Sequence, residues 1–304
     1  MSSPTDQSVY YVPHNGWYPV WIAFGVFMLL AGLGFLLNDV KAGEDPNAWM
    51  IYTGAGVLTV VLFFWFARVI EENQQGLANE QLKRSYVWGM GWFIFSEVMF
   101  FAAFFGALFY ARTFAVPWLG GEGAKGITGD VLWPDFSPEW PVLANPDNNL
   151  FPGPAESMAA PGVSNWLSYL PFWNTVILLT SSVTVHFAHT AIKNRARGKL
   201  IGWLAATVIL GIMFLALQAE EYVHAYQELG LTLSSGIYGS TFFILTGFHG
   251  FHVTLGTFIL IIQLLRAVKG HFEPKDCFGF EAASWYWHFV DVVWVCLFFF
   301  VYVF

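Results

Sequence analysis

Seven apolar segments recur along the chain, at about 18–38, 49–70, 86–112, 171–192, 200–223, 237–265 and 281–304. Each is long enough to cross about 30 Å of hydrocarbon. No water reaches the backbone in that environment, so a span must satisfy its own N–H and C=O groups, and a helix does this within one segment. Trp17 and Tyr18, Trp49 and Tyr52, and Tyr86 and Trp88 open the first three segments, as expected of an interfacial aromatic belt. Charged residues make up only 11% of the 304 residues, against about 25% in an ordinary soluble domain. That is too few to cover a water-exposed surface. The expected fold is all-α, a polytopic membrane bundle of seven transmembrane helices.

Charge sets an expected orientation. Of the 13 Lys and Arg, ten fall on the side of the N-terminal arm, among them Arg68, Lys83, Arg84, Arg266, Lys269 and Lys275. The other side holds Lys41, Arg112 and Lys125. The basic side is expected to face inward, which puts the N-terminus inside and the C-terminus outside. Residues 1–17 contain no Lys or Arg and no small-residue cleavage pattern follows, so the first segment is read as a retained span. A net charge of −8 argues against nucleic acid as a partner.

Three regions are expected: a two-helix bundle over 1–70, a polar hinge over 71–85 (EENQQGLANEQLKRS), and a five-helix bundle over 86–304. The last carries a long acidic loop at about 113–170, rich in proline and glycine and so expected to be irregular. It reads better as a cover for neighbouring chain than as a docking surface.

The unusual residues are the polar ones inside spans, where an ionised acid at a helix centre costs about 2.5–3.5 kcal/mol. Glu97 lies eleven residues into the third segment, about 16 Å deep, and no partner is visible along its own helix. His249 and His252 sit one turn apart in the sixth segment, and His186 and His189 share that spacing in the fourth. Such pairs suit a metal or buried hydrogen bonds, and facing histidines on different helices also leave a bis-histidine haem open. His288 and Asp291 share a face of the last segment within WYWHFVDVVW. They read as a proton relay or as a hydrogen-bonded lock, with His249 the expected partner of Asp291. Gln218, Glu220, Glu221, Tyr222 and His224 cluster at the end of the fifth segment and read as an interfacial cap open to water or head groups. Cys277 and Cys296 form no CxxC pair, so no thiolate metal site is visible.

These residues carry a resemblance. FIFSEVMFF (93–101), NTVILLTSSVTVHFAH (174–189), LQAEEY (217–222), GIYGSTFFILTGFHGFHV (236–253) and FGFEAASWYWHFVDVVW (278–294) closely resemble subunit III of haem-copper cytochrome c oxidases. The likeness covers most of 86–304 and is looser over 1–70. It departs from the family where Gly106 and Ala107 replace a usual Trp-Ala and where Thr190 replaces a second His.

The resemblance implies a non-redox accessory subunit of a proton-pumping oxidase in aerobic respiration. Such a subunit stabilises the catalytic core, binds phospholipid between its two bundles and supports proton uptake. It has no catalytic, cofactor-binding or metal residues of its own, and haem and copper belong to partner subunits I and II, which receive electrons from cytochrome c. Glu97 matches the family's buried carboxylate, while His249, Glu281, His288 and Asp291 lie inside matching blocks; Arg68, Glu72 and Arg266 are the lipid head-group candidates. The expected location is a bacterial inner membrane rather than a mitochondrial one. Two alternatives are a quinol oxidase subunit III, whose relatives lack the first two helices, and a free-standing proton-coupled transporter, which would be expected to show internal repeats.

Overall fold

The chain was described from a computed structural model that covers residues 11–12, 16–274 and 276–304. Lys275 and most of the N-terminal arm, both used in the charge argument, lie outside the described residues. Among those described, no β-strand forms, and seven helices are long and apolar enough to cross a membrane. They are α1 (Tyr18–Ala42), α2 (Trp49–Gln74), α3 (Glu80–Tyr110), α4 (Leu170–Lys193), α5 (Arg197–Gln227), α6 (Ile237–Lys269) and α7 (Phe278–Leu297). The protein is an all-α polytopic membrane bundle, as its hydropathy predicts.

Every span is longer than its apolar core once the wide turn Phe298–Val303 that continues α7 is counted with it. Of the polar stretch 71–85, only 75–79 lies outside helices. The flanking residues stay helical because their charges pair within one turn. Arg68 meets Glu71 at 2.8 Å and Glu72 at 3.2 Å, and Lys83 meets Glu80 at 3.1 Å. The third span differs most from expectation. α3 does not stop near Arg112 but passes through a wide turn at Ala111–Ala115 into Val116–Leu119. The Arg112 guanidinium lies over the Trp140 ring at 5.8 Å, an aromatic neighbour that substitutes for the water a charged residue would otherwise seek.

The described residues form two compact units that divide between Gly89 and Met90, inside α3. In the first, α1 and α2 form a hairpin whose closest approach is made by glycine. A Cβ on Gly54 would lie 2.7 Å from the Gly25 carbonyl oxygen. Only small residues let two backbones meet this closely, which is how helices associate where lipid removes the hydrophobic drive. Tyr18 stacks on Trp65 at 5.9 Å near the other end of the hairpin.

The second unit is built around α7. Trp287 and Trp294 are fully buried, as are Phe280, Val290 and Leu297. Trp287 projects towards α5 and α6, where Gly211 and Gly256 leave room for its ring; a Cβ on either glycine would lie 2.9 Å from an indole carbon. Its Nε1 donates to Ser181 Oγ on α4 at 2.9 Å, and Trp294 Nε1 donates to Thr175 Oγ1 at 3.0 Å. α3 joins through aromatic contacts, including Phe100 and Phe104 on Phe248 and Phe93 on Tyr286.

The long connection between α3 and α4 lies across one end of this unit. Ala155 N–H donates to the Leu229 carbonyl, Met158 N–H to Tyr238 Oη, and Tyr169 Oη to the Met158 carbonyl. Val142 and Met158 of the connection are themselves buried. These contacts satisfy backbone groups that an irregular segment would otherwise leave to water.

Candidate functional site

Glu97, for which no partner is visible along its own helix, meets one on another helix. Its Oε2 lies 3.0 Å from His252 Nε2, across α3 and α6. His252 Nδ1 is 2.6 Å from the Phe248 carbonyl oxygen, which only accepts, so Nδ1 carries a hydrogen. Nε2 then either accepts from a protonated Glu97 or donates to a carboxylate. Both arrangements are net neutral and place one proton between the two atoms. Phe101, Tyr286 and Phe289 pack around the imidazole, which is buried, while the Glu97 side chain is 22% exposed. The two residues are 155 positions apart. The signal in the sequence is that both are polar and both stand near the middle of their spans.

His249, one turn before His252, takes a different role. It is fully buried, and its Nε2 donates to the Val290 carbonyl of α7 at 3.2 Å. Phe214 and Trp294 pack on its ring. His249 therefore binds the α7 backbone one residue before Asp291, and the expected His249–Asp291 pairing is replaced. The neighbour of Asp291 is His288, whose Nδ1 stands 3.5 Å from its Oδ2. Ser182 of α4 lies 2.8 Å from the same nitrogen. Asp291 is 4% exposed, while the His288 side chain is 40% exposed. The His288–Asp291 motif thus links α7 to α4 rather than to α6. Glu97–His252, His249–Val290, and Ser182–His288 with Asp291 beside it are three separate polar contacts among those that join the helices of this unit.

Residues that the sequence left unconnected meet at one end of α4 and α7. Glu281 Oε1 lies 2.9 Å from Lys193 Nζ, 3.2 Å from His189 Nε2 and 3.4 Å from Cys277 Sγ. The ligand-capable atoms of His189, Cys277 and Glu281 all fall within 4.8 Å of one another. The Lys193 ammonium already stands among them, 3.5 Å from the sulfur. Burial, then the nearby Glu281 carboxylate, raises the Cys277 thiol above its ordinary value, with Lys193 opposing. A protonated thiol beside a resident cation makes an ion-paired hydrogen-bond cluster, and this chemistry does not fit a thiolate metal centre.

Arg68 and Glu72 pair with each other at the end of α2, where Tyr11 Oη donates to Glu72 Oε1 at 3.2 Å. Arg266 is buried, stacked on Phe272 at 4.8 Å with its Nη1 donating to Gln263 at 3.3 Å. Gln218 and Glu221, expected to face water or head groups, are instead 5% and 2% exposed. Glu221 is reached by Tyr302, 81 residues away, and a partner that distant leaves no local signal. Tyr302 Oη donates to Glu221.

The family model for cytochrome c oxidase subunit III matches residues 9–127 and 163–304. The unmatched interval falls inside the long loop. A cytochrome c oxidase subunit 3 from Formosania lacustris is 36% identical over 286 residues, covering 94% of this chain and 93% of the relative. One from Marchantia polymorpha is 39% identical over 280 residues (90% and 91%), and one from Sus scrofa is 38% identical over 284 residues (93% and 86%). The chain belongs to the cytochrome c oxidase subunit III family, and with it to a multisubunit membrane oxidase.

Proposed function

We propose that this chain is a non-redox accessory subunit of a proton-pumping cytochrome c oxidase. It would stabilise the catalytic core, hold phospholipid and support sustained proton uptake. One observation carries the reading. Of the mid-span histidines and acids that a redox site would need, Glu97 and His252 engage each other, His249 the Val290 carbonyl and His288 the Ser182 hydroxyl, and these contacts join α3, α4, α6 and α7. Electrons from cytochrome c would pass to O₂ through haem and copper in subunits I and II, with this chain packed beside them. Seven spans favour the cytochrome c type over the quinol type, whose relatives lack the first two helices. The same mutual pairing weighs against a free-standing transporter, whose carriers must load and release protons.

Orientation and lipid contact belong to the same proposal. The basic connections α2–α3, α4–α5 and α6–α7 would face inward, with the N-terminus inside and the C-terminus outside. Arg68 meets Glu71 and Glu72 through two of its nitrogens. A guanidinium has five N–H donors, which leaves some for a lipid phosphate. Glu72 would orient it, and Arg266 at the end of α6 is the second head-group candidate. Two uses of Glu97 are compatible with its position: a lock between α3 and α6, and a site that exchanges a proton with the uptake path.

Stripping the chain from the purified oxidase tests the proposal. Initial turnover should be retained, while the number of turnovers before inactivation should fall several-fold. Immediate and complete loss of turnover would instead assign the chain a catalytic part.

A further inference from the structure

Five buried side-chain atoms without a hydrogen-bond partner belong to three residues of the second unit: both amide atoms of Asn174, both of Gln218, and Oε2 of Glu221. These residues lie at one level of the bundle. Thr184 and Thr207 Oγ1 atoms, 2.8 Å apart, set the register between antiparallel α4 and α5. Asn174 is ten residues from Thr184 and Gln218 is eleven from Thr207, which is about 15 and 16 Å along the two helices. Trp294 ties the level together. It donates to Thr175, next to Asn174, and its ring meets Phe214, one turn before Gln218, at 4.8 Å. Glu221 follows Gln218 by three residues, on the same face of α5. The Tyr302 hydroxyl donates to the other carboxyl oxygen, and the Met158 segment reaches the same end, with Ala160 N–H donating to the Tyr302 carbonyl and Met158 N–H to the Tyr238 hydroxyl.

The orphan atoms identify the ligand. Asn174 Oδ1, Gln218 Oε1 and Glu221 Oε2 need donors, while the two NH₂ groups need acceptors. A cation would serve only the oxygens, and an anion only the nitrogens. Water supplies two donors and two acceptors, and a polar site with two to four partners is where a buried water binds. We propose that Asn174, Gln218 and Glu221 enclose an ordered internal water site of about two molecules, sealed by Tyr302 and the Met158 segment. These waters solvate the Glu221 carboxyl and couple α4 to α5 at the end covered by the long loop.

The test uses the intact oxidase. A structure determined at a resolution that shows waters should place density within about 2.7–3.2 Å of Asn174 and of Glu221 Oε2. A direct Asn174–Gln218 bond with no such density would overturn the proposal. Independently, the double variant Asn174→Leu, Gln218→Leu should lower the temperature at which the chain leaves the complex by about 4 °C or more, because the Glu221 carboxyl loses its solvation. If the two amides merely bonded each other, removing both would be nearly neutral, and a near-neutral double variant would likewise overturn the proposal.

Discussion

His252→Leu should destabilise the second unit by about 2–3 kcal/mol, and Glu97→Leu by about 1–3 kcal/mol, because each leaves a polar partner unmatched inside a membrane span. An interhelical hydrogen bond in a membrane averages only about 0.6 kcal/mol, with a maximum near 1.7. The larger values come from orphaning the survivor. The surviving carboxyl costs more than the surviving imidazole, which keeps its Nδ1–H bond to the Phe248 carbonyl. Combining the two substitutions should therefore cost less than their sum. Glu97→Gln should assemble almost normally, since the carboxamide can donate to His252 Nε2 while the imidazole stays neutral. Recovery of this chain with the oxidase, measured across the four variants by thermal challenge, checks all of this. Additive losses in the double variant would show that the two residues are not coupled.

Trp287→Ala should cost about 3–5 kcal/mol, the range for deleting a large aromatic from a packed interior. The indole lies against Gly211 and Gly256, where it is fully buried. Lipid cannot enter to fill the space, so the lost dispersion contacts have no replacement. The lost hydrogen bond adds little, because Ser181 Oγ still donates to the Leu178 carbonyl at 2.6 Å. Trp287→Phe should accordingly recover most of the stability without restoring that bond. The measurement is the temperature at which the chain unfolds within the solubilised complex. A tryptophan-to-phenylalanine loss as large as that to alanine would assign the cost to the indole N–H instead of the packing.

How much of this was legible in the sequence depends on the range of each interaction. The seven spans follow from local hydropathy, and all seven form. Their ends do not follow from it, because Arg68, Glu71, Glu80 and Lys83 pair within one turn and prolong polar helices. Arg112 illustrates the same limit, since the aromatic ring that receives it is 28 residues away. The polar residues that matter were visible as types: Glu97, His249, His252, His288 and Asp291 all lie in the interior or link helices. Their partners were not visible, because pairing across helices depends on rotation and depth together. That is why His249 was expected against Asp291 but meets the Val290 carbonyl one residue earlier. Cys277 was read alone, although Lys193, His189 and Glu281 converge on it in space. Glu221 reads as exposed in the sequence because nothing local marks Tyr302 as its partner.

The central claim is that the redox centres belong to other subunits and that this chain acts by packing, lipid and proton support. The direct measurement is the iron, copper and haem content of the oxidase before and after the chain is separated from it. All haem absorbance and copper should remain with the partner subunits, and the separated chain should show neither. A Soret band or stoichiometric copper that travels with this chain would contradict the claim.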